Sequence, residues 1–426
     1  EGIEMKKPAA LLLVPALVLG LTSCGGGASS QDTSSQSGDE VKTIYIYQTK
    51  IEIQEALEAV TAKYTETHPN VRFQIESAAD GYNTGLKAKF AGGEAPDIFS
   101  ITGYSDALVW QSRLADLSDE PWVADMVPAA QENVLIDSQV LAFPLSVEAA
   151  GYVYNTALFQ QAGIDKVPTT REELADAVQK LSDSGVAAPI TECYMDWYQL
   201  GNFMVNLGFA GQEDSKAFIE GLNNGTETFV GNPVFEELAD YITFEYNLST
   251  SPATTDFNTQ TSMVSSQDLA ITIGGNWSQP TYDAVDPSLP VSLMGIPYSS
   301  NEAENDQLYL VGTYWGVNKD SEALPEIKDF LTWLTTTDEG KECLTLDLQF
   351  IPAYNSIPAD PESIGALGQA VSAYIAAGKT DNIYYTFYPD GFTQAAGEAV
   401  QKLGAGKSTV DEFLQELQDS WDSLSG

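Results

Sequence analysis

Glu148 lies in "PLSVEAAGYVY", an otherwise apolar stretch in which a charge is costly unless it meets water or a partner. Trp277, in "IGGNWSQP", sits just past an apolar run, between glycine and polar residues, with no helical stripe to make it core. Glu52, preceded by Tyr47 and Gln48, follows the first β-branched run and opens the first helical pattern. Carboxylates and amides accept and donate bidentately, and aromatic faces bury apolar surface while keeping a polar edge. Together these residue types suit recognition of a small polar molecule with flat apolar faces. Two carboxylates roughly 5–10 Å apart could also hydrolyse a glycosidic bond, and Glu52 with Glu148 is the pair to consider. Other catalytic chemistries lack their parts. The one histidine, His68 in "ETHPN", reads as a solvated helix-terminal residue, and no nucleophile elbow, metal-ligand spacing or Gly-rich phosphate loop appears.

Strands and helices alternate around these residues. "VKTIYIY" (41–47) reads as a strand buried on both faces, and Ile53, Leu57, Val60 and Tyr64 then recur at helical spacing before Pro69. "VRFQI" (71–75), "DIFSI" (97–101), "LAITI" (269–273) and "VSLMGI" (291–296) read as further strands. In "VPTTREELADAVQKL", Thr170 with Glu173 forms a capping box that turns Leu174, Val178 and Leu181 inward. Near the end, Phe413, Leu417, Trp421 and Leu424 share one stripe of an amphipathic helix. This alternation predicts an α/β fold with mainly parallel sheets, with ligand groups on loops after strand ends.

The chain has 19 Lys plus Arg against 61 Asp plus Glu, a net charge of −42. So acidic a surface excludes nucleic acid as a partner and favours solubility outside the cell. At the N-terminus, Lys6 and Lys7 precede an apolar run, Ala9 to Leu21, too short to span a bilayer comfortably. That order describes an export signal. Leu21-Thr22-Ser23-Cys24 resembles the lipobox of bacterial lipoproteins, whose cysteine is lipidated and becomes the first residue. Residues 1–23 are therefore expected to be signal peptide, the true signal being 5–23 from Met5, and 24–40 a lipidated Cys24 with a disordered Gly/Ser linker. Cys193 and Cys343 are the other cysteines, and their pairing stays open.

The segments "AGGEAPDIFSITGYSD" (91–106) and "LAFPLSVEAAGYVYNTALFQQAGI" (141–164) are followed in order by "PTTREELADAVQKL", "GNW", "GTYWGVNKDS" and "FLTWLTTTDEGKECL". With them the chain, from about Val41 to the end, resembles the extracellular solute-binding proteins of carbohydrate ABC importers, similar to maltose- and multiple-sugar-binding proteins. The resemblance implies a two-lobe periplasmic-binding-protein-like fold with a hinge and an interlobe ligand cleft. Lobe one would be 41–149 plus 296–333 and lobe two 150–295 plus 334–426, the chain crossing near Glu148, near Met294–Ile296 and near Leu334. It further implies no catalysis and no cofactor or metal. The protein would act as a monomer, tethered through Cys24 to the outer face of the bacterial cell membrane, passing a sugar to permease subunits. The sugar is expected to be an oligosaccharide.

The expected ligand contacts are Tyr47, Gln48, Glu52, Tyr82, Tyr104, Asp106, Glu148, Trp197, Asn276, Trp277, Tyr314, Trp315 and Tyr388. At the position matching Glu148, maltose-type binders touch sugar; a hinge salt bridge is the other reading. Glu52 equally reads as a first-turn glutamate favouring a helix N-terminus. Of Tyr314 and Trp315, one is expected in the core and one in the cleft, whereas Trp110, Trp122 and Trp333 are assigned to packing. Two alternatives keep the fold and change the ligand: ferric iron, suggested by adjacent Tyr384 and Tyr385, and a polyamine, suggested by the acidity. A carbohydrate-active enzyme is the third.

Overall fold

The computed structural model describes residues 41–78 and 81–425. The expected signal, Cys24 and linker lie outside the described residues. Among the described residues, no helix is long and apolar enough to cross a membrane.

Strand β1 (Lys42–Gln48) buries Ile44 and Ile46 completely, as its β-branched composition requires. The helix Gln54–Thr67 follows and turns Leu57, Val60 and Tyr64 into the same core. It returns the chain to β2 (Val71–Ser77), parallel to β1. Strand β3 (Ile98–Ile101) joins the other side of β1, also parallel. A small hairpin pairs β4 (Leu135–Ile136) with β5 (Gln139–Val140). Its two turn residues, Asp137 and Ser138, both have positive φ, the twist that a two-residue hairpin demands.

Strand β6 (Ala142–Asn155) is 14 residues long and buried almost throughout. Beyond it come β7 (Ile271–Gly275), β8 (Val291–Met294), β9 (Leu308–Val317) and β10 (Thr380–Asn382). The large sheet runs β2-β1-β3-β9-β6-β7, with β10 beside β9 and β8 beside β6. It is mixed, not mainly parallel: β9 runs against β3, and β6 against β7, β8 and β9. The reason lies in β6 and β9. They run antiparallel to each other between the two halves, β6 opposing all three of its partners and β9 opposing β3 and β6 while lying parallel to β10.

Two buried clusters flank this crossing. One gathers β1, β3, the first half of β6 and the helix Leu324–Thr336; the other is rich in aromatic rings and holds Tyr152, Phe209, Phe235, Phe392 and Trp421. The segment 338–357, placed in lobe two from sequence, packs on the first half instead. Lys63 pairs with Asp347, the Tyr354 hydroxyl donates to Pro144 O at 2.7 Å, and Val147 N donates to Ile351 O. Beyond Ile357 the chain enters the helix Gly365–Ala376, which packs on β8 and buries Leu367 and Val371 in the first cluster.

Local signals hold well. Thr170 caps the helix Arg171–Asp183, whose Leu174, Val178 and Leu181 are buried. A full capping box, Thr409 with Glu412, opens the helix Val410–Leu424, which buries Phe413, Leu417 and Trp421 while Leu424 stays exposed. Cys193 and Cys343 are free and buried. His68 ends its helix as expected, yet its ring stacks on Tyr64 at 3.9 Å rather than standing in solvent.

Candidate functional site

The site begins with a clamp. Gln48, at the end of β1, is buried, and its side-chain amide accepts from Lys50 N at 3.0 Å and donates to Lys50 O at 2.7 Å. Both backbone groups of Lys50 are thereby fixed, and its side chain is aimed at β6. Its Nζ lies 2.8 Å from Glu148 Oε1 and 2.9 Å from Glu52 Oε1, with the lysine and Glu148 side chains about one-tenth exposed. Burial opposes the lysine charge, but Glu148 and then Glu52 outweigh it and hold the Lys50 pKa above the ordinary lysine range. Glu148 Oε2 also accepts from Thr313 on β9 at 3.3 Å. The carboxylate in the apolar strand thus has its partner, and the partner is a lysine that the sequence reading passed over. The available signal was Glu148 itself: a buried carboxylate demands a cation, and Lys50 follows β1, with β3 and β9 between it and β6 in the sheet.

Opposite this charged edge stands an aromatic wall. Strand β7 ends at Gly275, where a Cβ would fall 2.1 Å from the Trp277 ring and 2.4 Å from Ala149 O, so only glycine lets strand and ring approach. Asn276 Oδ1 accepts from Ala149 N at 2.9 Å and ties this turn to β6. Trp277 stacks on Phe203 at 5.2 Å, and Phe203 meets Tyr198 and Tyr385 edge-on. The Trp277 Nε1 donor is buried without a partner. Burial, then the nearby Tyr385, raises the Tyr198 pKa, with Glu148 and Glu52 adding to it. Burial and then Glu148 raise that of Tyr385. Both tyrosines are neutral hydroxyls set beside carboxylates. Lys50, Glu52, Glu148, Asn276, Trp277 and Gln279 line one cavity of ≈ 20 Å³, room for about one water. A ring-sized ligand therefore enters only as these walls move apart.

The other expected contacts fall into two groups. Asp106 accepts from Thr102 N and Oγ1 at 2.8 and 2.7 Å, and its charge still bears on Tyr385. Tyr104 stacks on Phe387 across the two halves at 5.0 Å. Tyr314 is buried, with Asn133 and Tyr385 as neighbours. The second group leaves the site. Tyr82 stacks on Tyr47 at 4.6 Å and donates to Tyr47 O and Ser100 O, so both rings brace β1. Trp315 is fully buried against Phe143, because strand alternation turns it away from the face of Tyr314. Tyr388 is locked between Phe209 and Trp421 in the second core. Trp197 is 37% exposed, while its neighbour Tyr198 turns inward. Of the paired tyrosines, Tyr384 donates to Asp381 at 3.2 Å, while the Tyr385 ring meets Phe203 edge-on.

Away from the hinge strands, polar contacts fasten the same two halves. Glu132 pairs with Lys216 and accepts from Asn382 Nδ2 at 3.0 Å, and Thr386 donates to Asn133 at 2.9 Å. Lys87 meets Asp390 at 3.1 Å.

The arrangement of two α/β halves about this site is shared with known proteins. The sequence profile described as "Bacterial extracellular solute-binding protein" matches residues 49–341. The chain belongs to this family. An uncharacterized ABC transporter extracellular-binding protein of Pyrococcus horikoshii is 26% identical over 291 residues, covering 64% of this chain and 65% of that protein. The maltotriose-binding protein of Pyrococcus abyssi is 26% identical over 345 residues, covering 75% and 70%. The matches thus span about two thirds of these relatives' lengths. Among solved structures, a sugar transporter protein of Bacillus licheniformis in complex with stachyose superposes with a TM-score of 0.70 at 20% identity, covering 90% of this chain and 100% of that one. A raffinose complex gives 0.75 at 16% identity, with the same coverage. The fold is therefore the two-lobe periplasmic-binding-protein-like one.

Proposed function

We propose that this protein captures an oligosaccharide between its two lobes and delivers it to the permease of an ABC importer. The observation that carries the reading is the facing of two chemistries: the Lys50-bridged carboxylates on one side and Trp277, with its unpartnered indole N–H, on the other. A sugar presents hydroxyls to the first and a C–H face to the second. Relatives named for maltotriose and neighbours solved with stachyose and raffinose support the same class. On this reading the ligand contacts are Glu52, Glu148, Asn276 and Trp277, joined by Lys50, Tyr198 and Tyr385, with Tyr104, Asp106 and Tyr314 at the margin. Lobe one is 41–149 with 296–357, and lobe two holds the rest of the folded body. The chain is exported, tethered by lipid on Cys24, and acts as a monomer.

The protein binds its sugar and returns it intact. Glu52 and Glu148 are engaged by one ammonium, and a carboxyl so engaged is a poor proton donor for hydrolysis. Lys50 also occupies the place where a polyamine ammonium would sit.

A thermal-shift screen with maltotriose, raffinose and stachyose, and with spermidine and ferric citrate as controls, tests the reading. At 100 times its dissociation constant a ligand adds about 2.7 kcal/mol, so at least one oligosaccharide should raise the melting temperature by several degrees. A shift with spermidine or iron alone would transfer the site to that ligand. Recovery of hydrolysed sugar would make the protein an enzyme. Separately, Cys24→Ala should remove a diacylglyceryl mass from the exported protein, and its persistence would sink the anchor assignment.

A further inference from the structure

Two carboxylates, Glu192 and Glu245, are fully buried in the second half of the molecule, and neither forms an ion pair with a lysine or arginine among the described residues. Glu192 receives Ile273 N at 2.9 and 2.8 Å on its two oxygens, and its Oε2 lies 3.1 Å from Thr272 Oγ1. Thr272 Oγ1 already donates to Thr191 O at 2.8 Å, leaving it an acceptor toward the carboxyl. A proton on Glu192 Oε2 completes the set: one oxygen accepts from β7, and the O–H donates to Thr272. Glu245 accepts from Tyr194 at 2.8 Å and from Ser249. Burial, then the Glu245 charge, raises the Glu192 pKa, and burial raises that of Glu245.

The network does not end there. Gln260 reaches Glu192, Thr272 and Gln199, and Gln199 Nε2 donates to Ile273 O at 3.2 Å. Gln199 is the residue after Tyr198, and Ile273 lies four residues before Trp277. We propose that Glu192 is a positioning residue for the cleft, holding Tyr198 and Trp277 in one fixed relation through this buried network. The inference rests on the cleft being the ligand site; it adds that the aromatic wall is set from behind by a neutral acid. The other ionisable groups around Glu192 are Cys193 and Tyr194 on its own segment, Tyr241 and Glu245 on the helix Pro233–Leu248, and Tyr152 on β6. Asp196 and Asp256 bear on Cys193, and Arg171 lies over the Tyr241 ring at 5.4 Å.

A raised folded-state pKa means that the folded protein holds a proton the unfolded chain has lost. Stability is therefore full below the unfolded glutamate pKa and declines as pH rises toward the folded value. Glu192→Gln keeps an acceptor for Ile273 and a donor for Thr272 without titrating. Glu192→Leu removes both.

The test compares the full chain with these two variants between pH 5 and 9. It uses amide hydrogen exchange, denaturant melts, and affinity for whichever of maltotriose, raffinose or stachyose the wild type binds. Glu192→Gln should bind within threefold of wild type and lose less stability as pH rises. Glu192→Leu should weaken binding at least tenfold and speed exchange at both 272–275 and 198–200. If Glu192→Gln loses binding as badly as Glu192→Leu, or keeps the wild-type pH slope, the neutral-acid role is overturned. Faster exchange confined to 272–275 would overturn the coupling. Should Glu192→Leu fail to fold, Gln260→Leu, which removes the link between Thr272 and Gln199, takes its place in the binding and exchange measurements with the same outcomes deciding. If no trisaccharide or tetrasaccharide binds the wild type, the sugar reading fails, while the exchange pattern still decides the positioning role.

Discussion

Glu52 with Glu148, and Glu192 with Glu245, are two pairs of carboxylates held under different compensation. The first pair borders the cleft and is bridged by the Lys50 ammonium. The second lies in the aromatic core, where hydrogen bonds and a retained proton take the place of a cation. The difference follows from what each location must do. The edge of a cavity keeps its acceptors charged, and a fixed lysine makes that bearable in low dielectric. A core that only has to hold backbone in place can keep a carboxyl protonated, which costs less to desolvate than a carboxylate.

Lys50→Met is the strongest way to break the first half of the comparison. It leaves two carboxylates without their cation, and breaking a buried pair costs roughly 3–5 kcal/mol. Because Glu52 keeps some contact with water, we expect a loss of about 2–4 kcal/mol in a urea melt. An unchanged melt would mean that water, not Lys50, compensates the pair.

Trp277→Ala probes the wall that the second pair supports. Burying about 100 Å² of indole against a sugar ring gives roughly 2.5 kcal/mol, reduced by ordering costs, so oligosaccharide affinity should fall by about 1–3 kcal/mol in calorimetry. A large loss of stability with normal binding would make Trp277 a packing residue. Its neighbours sharpen the contrast. Tyr198→Ala should weaken binding by about 1–2 kcal/mol through the lost aromatic contact, whereas Trp197→Ala should change binding and stability by no more than about 0.5 kcal/mol, as for a surface side chain. Equal effects at 197 and 198 would put the wall in the wrong register.

That register marks the boundary of what was legible in the sequence. Strands, helix faces and caps were written in apolar periodicity, and Glu148 and Trp277 stood out because each broke a local rule. Neighbours were harder. Trp197 and Tyr198 begin a helix of three residues, too short for a stripe to say which one turns inward. Tyr385 and Tyr388 lie in and just after a single helical turn, and tertiary packing alone buried Tyr388 in the second core and set Tyr385 against Phe203 at its margin. Tyr314 and Trp315 alternate on β9, so one had to be core, but the pattern does not name it. Nothing in the sequence singles out Lys50, and only the fold sets its Nζ 2.8 Å from Glu148. Residues 338–357 dock on the first half through side chains and bridges with no period, so the sequence carries no pattern that would place them.

Strands β6 and β9 pair with each other from Ala142–Gly316 to Ala150–Tyr309, with a register shift between Pro144 and Ser146. Where these two strands run between the halves they form continuous sheet. Opening the cleft therefore means wringing a two-stranded ribbon, not swinging on a slack joint. Such a ribbon resists in proportion to the angle, so the molecule behaves as a torsion spring with a preferred rest position. The twist should gather where the ladder slips at Pro144, since an irregular step is more compliant than regular pairing.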